Sequence, residues 1–169
     1  VAAAREHFAL PPDDARLTVE VGDGAEALAP ECCDLLVVDG FDDGEQVPAL
    51  ASRAFYDAAW LALSEPGAMV LNFMSDDPAL DVYLQRVERS FGGAVLCLPA
   101  LADPNLIVLA FRGAPRRLAW RTLRERAARL EQRFALPFRR YVAALGQMNP
   151  RTGDDLIITP DTNRNGGEG

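Results

Sequence analysis

The sequence predicts an α/β fold, with a mostly parallel, doubly wound β-sheet that is covered by helices and ends in an antiparallel hairpin. Three observations lead to this prediction. Short apolar segments typical of strands alternate along the chain with segments of helical periodicity. The last two strand-like segments are separated by too few residues for a crossover helix. The 169 residues are 49% hydrophobic, which is enough for the core of one compact domain.

The strand predictions depend on short apolar runs. The first segment, RLTVEV, alternates apolar and polar residues as a half-buried strand does, whereas the later segments are continuous apolar runs typical of buried strands. The predicted strands are residues 16–21, 34–39, 68–73, 94–99 and 105–111. Because only residues 100–104 separate the last two strands, we expect them to form the antiparallel hairpin at an edge of the sheet.

The helix predictions depend on apolar residues that recur three or four positions apart. The predicted helices are residues 1–10, 53–63, 76–91 and 120–134. Ser52 is a suitable N-cap for the second helix, and the sequence SEPG at 64–67 is a suitable stop. We expect residues 1–147 to form a single domain and residues 148–169 to form a C-terminal extension, with a disordered tail at residues 160–169.

The composition excludes several kinds of chemistry. His7 is the only histidine, so a Ser-His-Asp triad or a histidine-rich metal site would depend on that single residue, and no metal is expected. All 17 basic residues are arginine, so neither a Schiff-base lysine nor a P-loop lysine is present. The three cysteines do not have the spacing of a metal or redox motif. Carboxylates therefore remain as the candidate catalytic groups.

Charge is unevenly distributed along the chain. Residues 1–111 contain five arginines and 19 acidic residues, whereas residues 112–140 contain ten arginines and two acidic residues. The acidic body would repel a phosphate backbone, so we expect the basic segment to form pairs within the protein or between subunits rather than to bind nucleic acid. No apolar run approaches the roughly 20 residues that cross a bilayer. We expect a cytoplasmic protein that does not bind membranes.

Two aspartates directly follow predicted strands. Asp23 lies between Gly22 and Gly24, and Asp39 ends the second strand. Ligands of open parallel sheets bind outside the carboxyl ends of the strands, so both carboxylates, with Asn72 at the end of the next strand, are expected to line one crevice. Two alternatives stay open: Asp23 could form an Asx turn, and Asp39 could be a helix-cap or loop residue.

Four segments occur in a fixed order along the chain: ARLTVEVGDGAEAL, CDLLVVDGFD, PALASRAFY and LSEPGAMVLNF. From about Val1 to Phe111 this series resembles the spermidine synthase family, which comprises polyamine aminopropyltransferases with a Rossmann-like, class I methyltransferase fold. It implies transfer of an aminopropyl group from decarboxylated S-adenosylmethionine, as a co-substrate rather than a tightly bound cofactor, to an amine such as putrescine. It also implies a homodimer.

The resemblance assigns roles to individual residues. Asp23 and Gly24 match the family's adenine-binding pair, and Asp39 and Asp42 match the D-x-x-D motif in which the first acid acts on the attacking amine and the second anchors the polyamine. The chain departs from the family after Asp42, where Asp43 replaces the usual proline. Tyr56 is expected either to line the amine pocket through a cation-π contact or to pack in the core.

Two other functions share these features. An S-adenosylmethionine-dependent methyltransferase would have the same fold and adenine site, and a non-catalytic binding module could use the arginine-rich helix as its contact surface. The family's glycine-rich nucleotide loop has no counterpart in these residues. We therefore expect the natural protein to carry a further βαβ unit, roughly 30 residues or more, before Val1.

Overall fold

The computed structural model describes residues 1–42, 45–113 and 117–158, without the side chains of Asp42 and Glu45. The helices are α1 (Ala2–His7), α2 (Arg53–Ala62), α3 (Leu80–Ser90), α4 (Trp120–Phe134) and α5 (Phe138–Met148). The strands are β1 (Cys33–Val38), β2 (Phe41–Asp42), β3 (Glu45–Gln46), β4 (Leu63–Met74), β5 (Val95–Pro99), β6 (Asn105–Arg112), β7 (Arg117–Ala119) and β8 (Asp155–Ile157). No helix of the described part is both long and apolar enough to cross a membrane.

The central sheet has the strand order β1-β4-β6-β5. Strand β4 runs parallel to β1 and antiparallel to β6, and β5 and β6 form the predicted antiparallel hairpin with β5 at the edge. The α/β class and the terminal hairpin are therefore confirmed. Within the described residues the sheet is mixed, since one of its three pairings is parallel. The short pairs β2–β3 and β7–β8 lie outside it.

The strand predicted at residues 16–21 is wrong for this structure, which has irregular backbone there. Val21 is 86% exposed, and the outer edge of β1 has no partner strand in the described part of the chain. Leu35 and Val37 on β1 are correspondingly 58% and 65% exposed. An alternating pattern stabilises a strand only when a neighbour supplies backbone hydrogen bonds and a face to pack on, and residues 16–21 have neither.

Helices α2 and α3 cover one face of the sheet. Tyr56 and Phe55 on α2 and Val87 on α3 are buried against β4 residues such as Met69 and Leu71. The predicted cap of α2 is confirmed, because Ser52 Oγ accepts a hydrogen bond from the Phe55 N–H at 3.1 Å. Helix α2 ends at Ala62, as predicted. The SEPG segment that was expected to stop the helix is itself part of β4.

Helices α4 and α5 cover the opposite face at β5 and β6. The second core contains Trp120 from α4, Leu96 from β5, and Leu156 and Ile158 from the end of the described chain. Helix α4 has the predicted bounds, whereas α5 and β8 were not predicted. The described part of the C-terminal extension, up to residue 158, thus packs on the sheet. The boundary at 148 stays a prediction, and the tail predicted at 160–169 lies outside the described residues.

Candidate active site

Asp39 lies at the carboxyl end of the only parallel strand pair in the described residues. It follows β1 directly, one residue beyond the pairing of Val38 with Leu71 on β4. At the same level on β4, Asn72 Nδ2 donates a hydrogen bond of 3.0 Å to Asp39 Oδ1. The Asp39 side chain is exposed, and its Oδ2 has no protein donor among the described residues. This carboxylate is therefore oriented by a neighbouring strand and keeps one oxygen free for a ligand.

Asp23 forms a local turn in the exposed loop before β1. Its Oδ1 accepts a hydrogen bond from the Ala25 N–H at 2.8 Å, and its carbonyl accepts one from the Glu26 N–H at 3.1 Å. The Asx-turn alternative is thus observed. An Asx turn uses one carboxylate oxygen, so this geometry leaves the second oxygen of Asp23 available to a ligand hydroxyl or amine.

Leu50 brings the loops of the two aspartates together. A methyl group built on Gly24, next to Asp23, would lie 3.7 Å from Leu50 Cδ2. A methyl group built on Gly40, next to Asp39, would lie only 2.5 Å from Leu50 Cδ1. The Leu50 side chain would therefore have to shift to make room for any side chain at position 40. Both predicted aspartates therefore belong to loops that pack against one leucine, as expected for two sides of one crevice.

Gln46 is a polar residue that the sequence reasoning missed. It pairs with Phe41 in the β2–β3 hairpin that follows Asp39, and it is only 5% exposed. Neither its Nε2 nor its Oε1 has a hydrogen-bond partner in the described part of the chain, and the same holds for Asn72 Oδ1. Buried polar atoms without partners are rare and costly, and near a candidate site they suit a polar ligand. A glutamine in an acidic loop gives no sequence signal of burial.

The other two predicted site residues are Asp42 and Tyr56. The Asp42 side chain lies outside the described residues, although its backbone pairs with Glu45 in the β2–β3 hairpin. Tyr56 is completely buried in the core, with its ring edge-on to Phe55 at a centroid distance of 5.7 Å. Burial raises the pKa of the Tyr56 phenol. The packing alternative for Tyr56 is observed, and its role in amine binding stays a prediction.

The described residues contain no group of three or more histidine, cysteine, aspartate or glutamate side chains that could hold a metal ion. The candidate site consists of two loop carboxylates and the Asn72 amide that orients one of them, and the unpaired amide of Gln46 belongs to the adjacent β2–β3 hairpin. Such groups can hold a cationic amine, accept its proton and bind a ligand hydroxyl.

Comparison with curated proteins gives relatives of one kind, whereas no family model matches the chain. The chain is 36% identical over 160 residues to a polyamine aminopropyltransferase of Chromobacterium violaceum, covering 94% of this chain and 61% of that protein. It is 34% identical over 155 residues to the polyamine aminopropyltransferase of Neisseria meningitidis serogroup A, covering 90% of this chain and 59% of that protein. The chain thus spans about three fifths of the length of these relatives.

Solved structures show the same fold at lower identity. A probable spermidine synthase from Corynebacterium glutamicum has a TM-score of 0.53 at 22% identity, covering 65% of this chain and 43% of that one. A spermidine synthase in complex with the transition-state analogue AdoDATO has a TM-score of 0.53 at 23% identity, with 68% and 43% coverage. Human methyltransferase-like protein 13 in complex with SAH has a TM-score of 0.65 at 21% identity, with 89% and 68% coverage. The fold is therefore the Rossmann-like class I methyltransferase fold.

Proposed function

Since this chain belongs to the polyamine aminopropyltransferase, or spermidine synthase, family, we propose that it transfers an aminopropyl group from decarboxylated S-adenosylmethionine to an amine such as putrescine. The observation that carries the proposal is the exposed Asp39 carboxylate, held through one oxygen by Asn72 at the carboxyl end of β1 and β4. An alkylammonium ion must lose a proton before it can attack, and this carboxylate has a free oxygen to accept it.

The reaction is a displacement at carbon. Asp39 takes a proton from the acceptor ammonium, and the freed nitrogen lone pair forms a bond to the propyl carbon next to the sulfonium. The carbon–sulfur bond breaks, and its electron pair leaves with methylthioadenosine. Asp42 anchors the distal ammonium of the amine, and Tyr56 contributes to the same pocket. Holding the two reactants in line supplies much of the rate enhancement in such a reaction.

The nucleoside is proposed to lie on the loop of Asp23 and Gly24. The Asx turn fixes Asp23 through one oxygen, and the absence of a side chain at Gly24 lets the ligand approach the backbone. Leu50, which contacts both loops, supports a position of this nucleoside next to Asp39. The co-substrate is consumed in each turnover, so no tightly bound cofactor is part of the proposal.

Calorimetry and product analysis test the proposal. The full chain is titrated with methylthioadenosine, S-adenosylmethionine and putrescine, and mass spectrometry then follows its products from decarboxylated S-adenosylmethionine and putrescine. We expect methylthioadenosine to bind, and we expect Asp23→Ala to weaken that binding by about 10-fold, as for one lost charged hydrogen bond. Asp14→Ala is the matched control, because Asp14 forms a similar turn with the Arg16 and Leu17 N–H groups.

The outcomes separate this proposal from its rivals. Formation of S-adenosylhomocysteine and a methylated acceptor, without spermidine, would identify a methyltransferase. Binding of none of the three compounds would leave a non-catalytic module. Equal effects of Asp23→Ala and Asp14→Ala would remove the nucleoside assignment while leaving aminopropyl transfer to be decided by the product analysis.

The proposal also includes a homodimer in the cytoplasm and a further βαβ unit before Val1 in the natural protein. The exposed edge of β1, with Leu35 and Val37 uncovered, supports the idea that more protein packs there. Light scattering of the chain tests the dimer, and the intact mass of the native gene product tests the additional unit. A native product that begins near Val1 would contradict the latter.

A further inference from the structure

A cleft that shares no residue with the candidate active site lies between α4, α5 and the loop that leads into β8. It has a volume of about 790 Å³ and is lined by the guanidinium-bearing side chains of Arg124, Arg139 and Arg151 together with Trp120 and Val142. A volume of this size is typical of sites for small organic ligands. We call this feature the arginine cleft.

The charges of the arginine cleft are only partly balanced. Arg139 is close to Glu131, with a distance of 3.8 Å from Nε to Oε2, and the Arg139 N–H donates to the same oxygen at 3.0 Å. In the described part of the chain neither Arg124 nor Arg151 has a carboxylate within ion-pair distance. Two guanidinium groups without a carboxylate partner in one cleft, in a protein with net charge −8, provide the chemistry that an anion needs.

The loop that carries Arg151 is held in place by hydrogen bonds. Trp120 Nε1 donates to the Thr152 carbonyl at 3.3 Å, and the Thr152 N–H donates to the Asp155 carbonyl at 2.8 Å. At the base of the loop, Arg151 Nη1 lies 3.0 Å from the position that a side-chain carbon would occupy on Gly146 of α5. The absence of a side chain at Gly146 thus allows the Arg151 guanidinium to lie over α5, close to the Trp120 ring.

We propose that the arginine cleft binds a small organic phosphate. A terminal phosphate presents three acceptor oxygens and nearly two negative charges, which match two unpaired guanidinium groups better than a single carboxylate does. The cleft is much larger than a phosphate ion, and its Trp120 and Val142 walls suit an apolar or planar ligand portion. The site is distinct from the Asp39 crevice, whose proposed ligands are cations, and it does not depend on aminopropyl transfer.

Isothermal titration calorimetry of the full chain with uridine diphosphate tests the proposal. This probe carries phosphate and a planar base, and it lacks the adenine that the ligands of the proposed nucleoside site have in common. We expect it to bind more tightly than uridine or inorganic phosphate alone. Arg124→Gln and Arg151→Gln should each weaken binding by roughly 10-fold or more, as for a lost charged hydrogen bond.

The control and a steric variant complete the test. Arg129→Gln removes a guanidinium from the same helix outside the cleft and should leave the affinity within about twofold, apart from a small long-range charge effect. Ala143→Phe fills the cleft at an exposed lining position without changing charge and should abolish binding. The proposal is overturned if uridine diphosphate does not bind, if uridine binds equally well, or if Arg129→Gln has the same effect as Arg124→Gln.

Discussion

At the scale of single residues, the Asp39 carboxylate is positioned by a side chain of another strand. The amide of Asn72 donates to one of its oxygens, while Asn72 Oδ1 itself is buried and has no partner among the described residues. A buried amide with one unmet acceptor is destabilising by about 1–3 kcal/mol. Unpaired buried polar atoms in native structures often mark functional sites, and a ligand N–H group could donate to this oxygen.

Asp39→Asn is expected to reduce the proposed aminopropyl transfer by roughly 100-fold or more, because the substitution keeps the shape but removes the proposed base. The measurement is kcat for spermidine formation, with methylthioadenosine affinity as a check on folding. Asp34→Asn, at the other end of the same strand, is the matched control and should leave kcat unchanged. If Asp39→Asn kept its activity within a few-fold of the parent, Asp39 would not be the base.

Tyr56 determines part of the stability of the chain at alkaline pH. Its side chain is fully buried, and burial raises the pKa of the phenol above its usual value. Burial also raises the pKa of the Cys97 thiol. Both groups therefore lower the stability of the folded chain as pH rises. As pH rises past the unfolded-state pKa of about 10 for tyrosine, the unfolded chain releases a proton that the folded chain keeps. The contribution of Tyr56 to folding stability is therefore full below that pH and falls above it.

Tyr56→Phe is expected to reduce this alkaline loss of stability. Urea unfolding at about pH 8, 9.5 and 11 should show the parent losing up to about 1.4 kcal/mol per pH unit for each such group, and the variant losing less above pH 10. Tyr141→Phe is the control, because Tyr141 is only partly buried on α5. Identical pH profiles for Tyr56→Phe and the parent would show that the Tyr56 phenol does not contribute.

At the scale of elements, the sequence predicted the helices and strands whose caps, apolar spacing or connection length are visible within a short segment. Ser52 and the apolar spacing of α2 were sufficient to place that helix, and the five-residue connection was sufficient to predict the β5–β6 hairpin. Residues 16–21 have an equally clear strand pattern, but no neighbour pairs with them. Helix α5 was missed because Pro137 and Pro150 closely flank it, although its apolar residues recur at helical spacing. Local pattern therefore predicts an element only when its partners are also present.

Ser52→Ala is expected to destabilise the chain by about 1 kcal/mol through loss of the α2 cap. Ser52 Oγ accepts from the Phe55 N–H and also donates to the Ala49 carbonyl at 2.9 Å, so both bonds would be lost. Urea unfolding should show a lower midpoint at an unchanged slope. Ser75→Ala, in the exposed turn after β4, should change stability by less than about 0.5 kcal/mol. A Ser52→Ala midpoint equal to that of Ser75→Ala would contradict the capping role.

At the scale of the whole molecule, the two faces of the sheet are covered by different parts of the chain. Helices α2 and α3 cover one face, and α4, α5 and the segment up to residue 158 cover part of the other. Neither sequence periodicity nor charge predicted that the last segment would contribute to the core, because Leu156 and Ile158 lie in a short polar context. Their burial follows from the pairing of Leu156 with β7 and from packing of both residues in the second core, and local signals contain neither.

Asn149 links this C-terminal segment to the edge of the sheet. Its side chain accepts from the Cys97 N–H at 2.7 Å and donates to the Cys97 and Leu145 carbonyls at 2.7 Å each. The side-chain amide of Asn149 therefore forms hydrogen bonds with backbone groups of both β5 and α5, and it covers the outer edge of β5. An unpaired strand edge favours pairing with other chains, so this contact also protects the fold from aggregation.

A variant truncated after Gln147 is therefore expected to be strongly destabilised. It would lose Asn149 together with Leu156 and Ile158, which are at most 1% exposed and each contribute about 1.5–3 kcal/mol by burial. Thermal unfolding and light scattering should show a lower Tm and association through β5. A chain ended after Ile158 is the control, for which the predicted disorder of the tail implies an unchanged Tm. Equal stability of the two truncated chains would mean that the second core is complete without the C-terminal segment, and residue 148 would then be a true domain boundary.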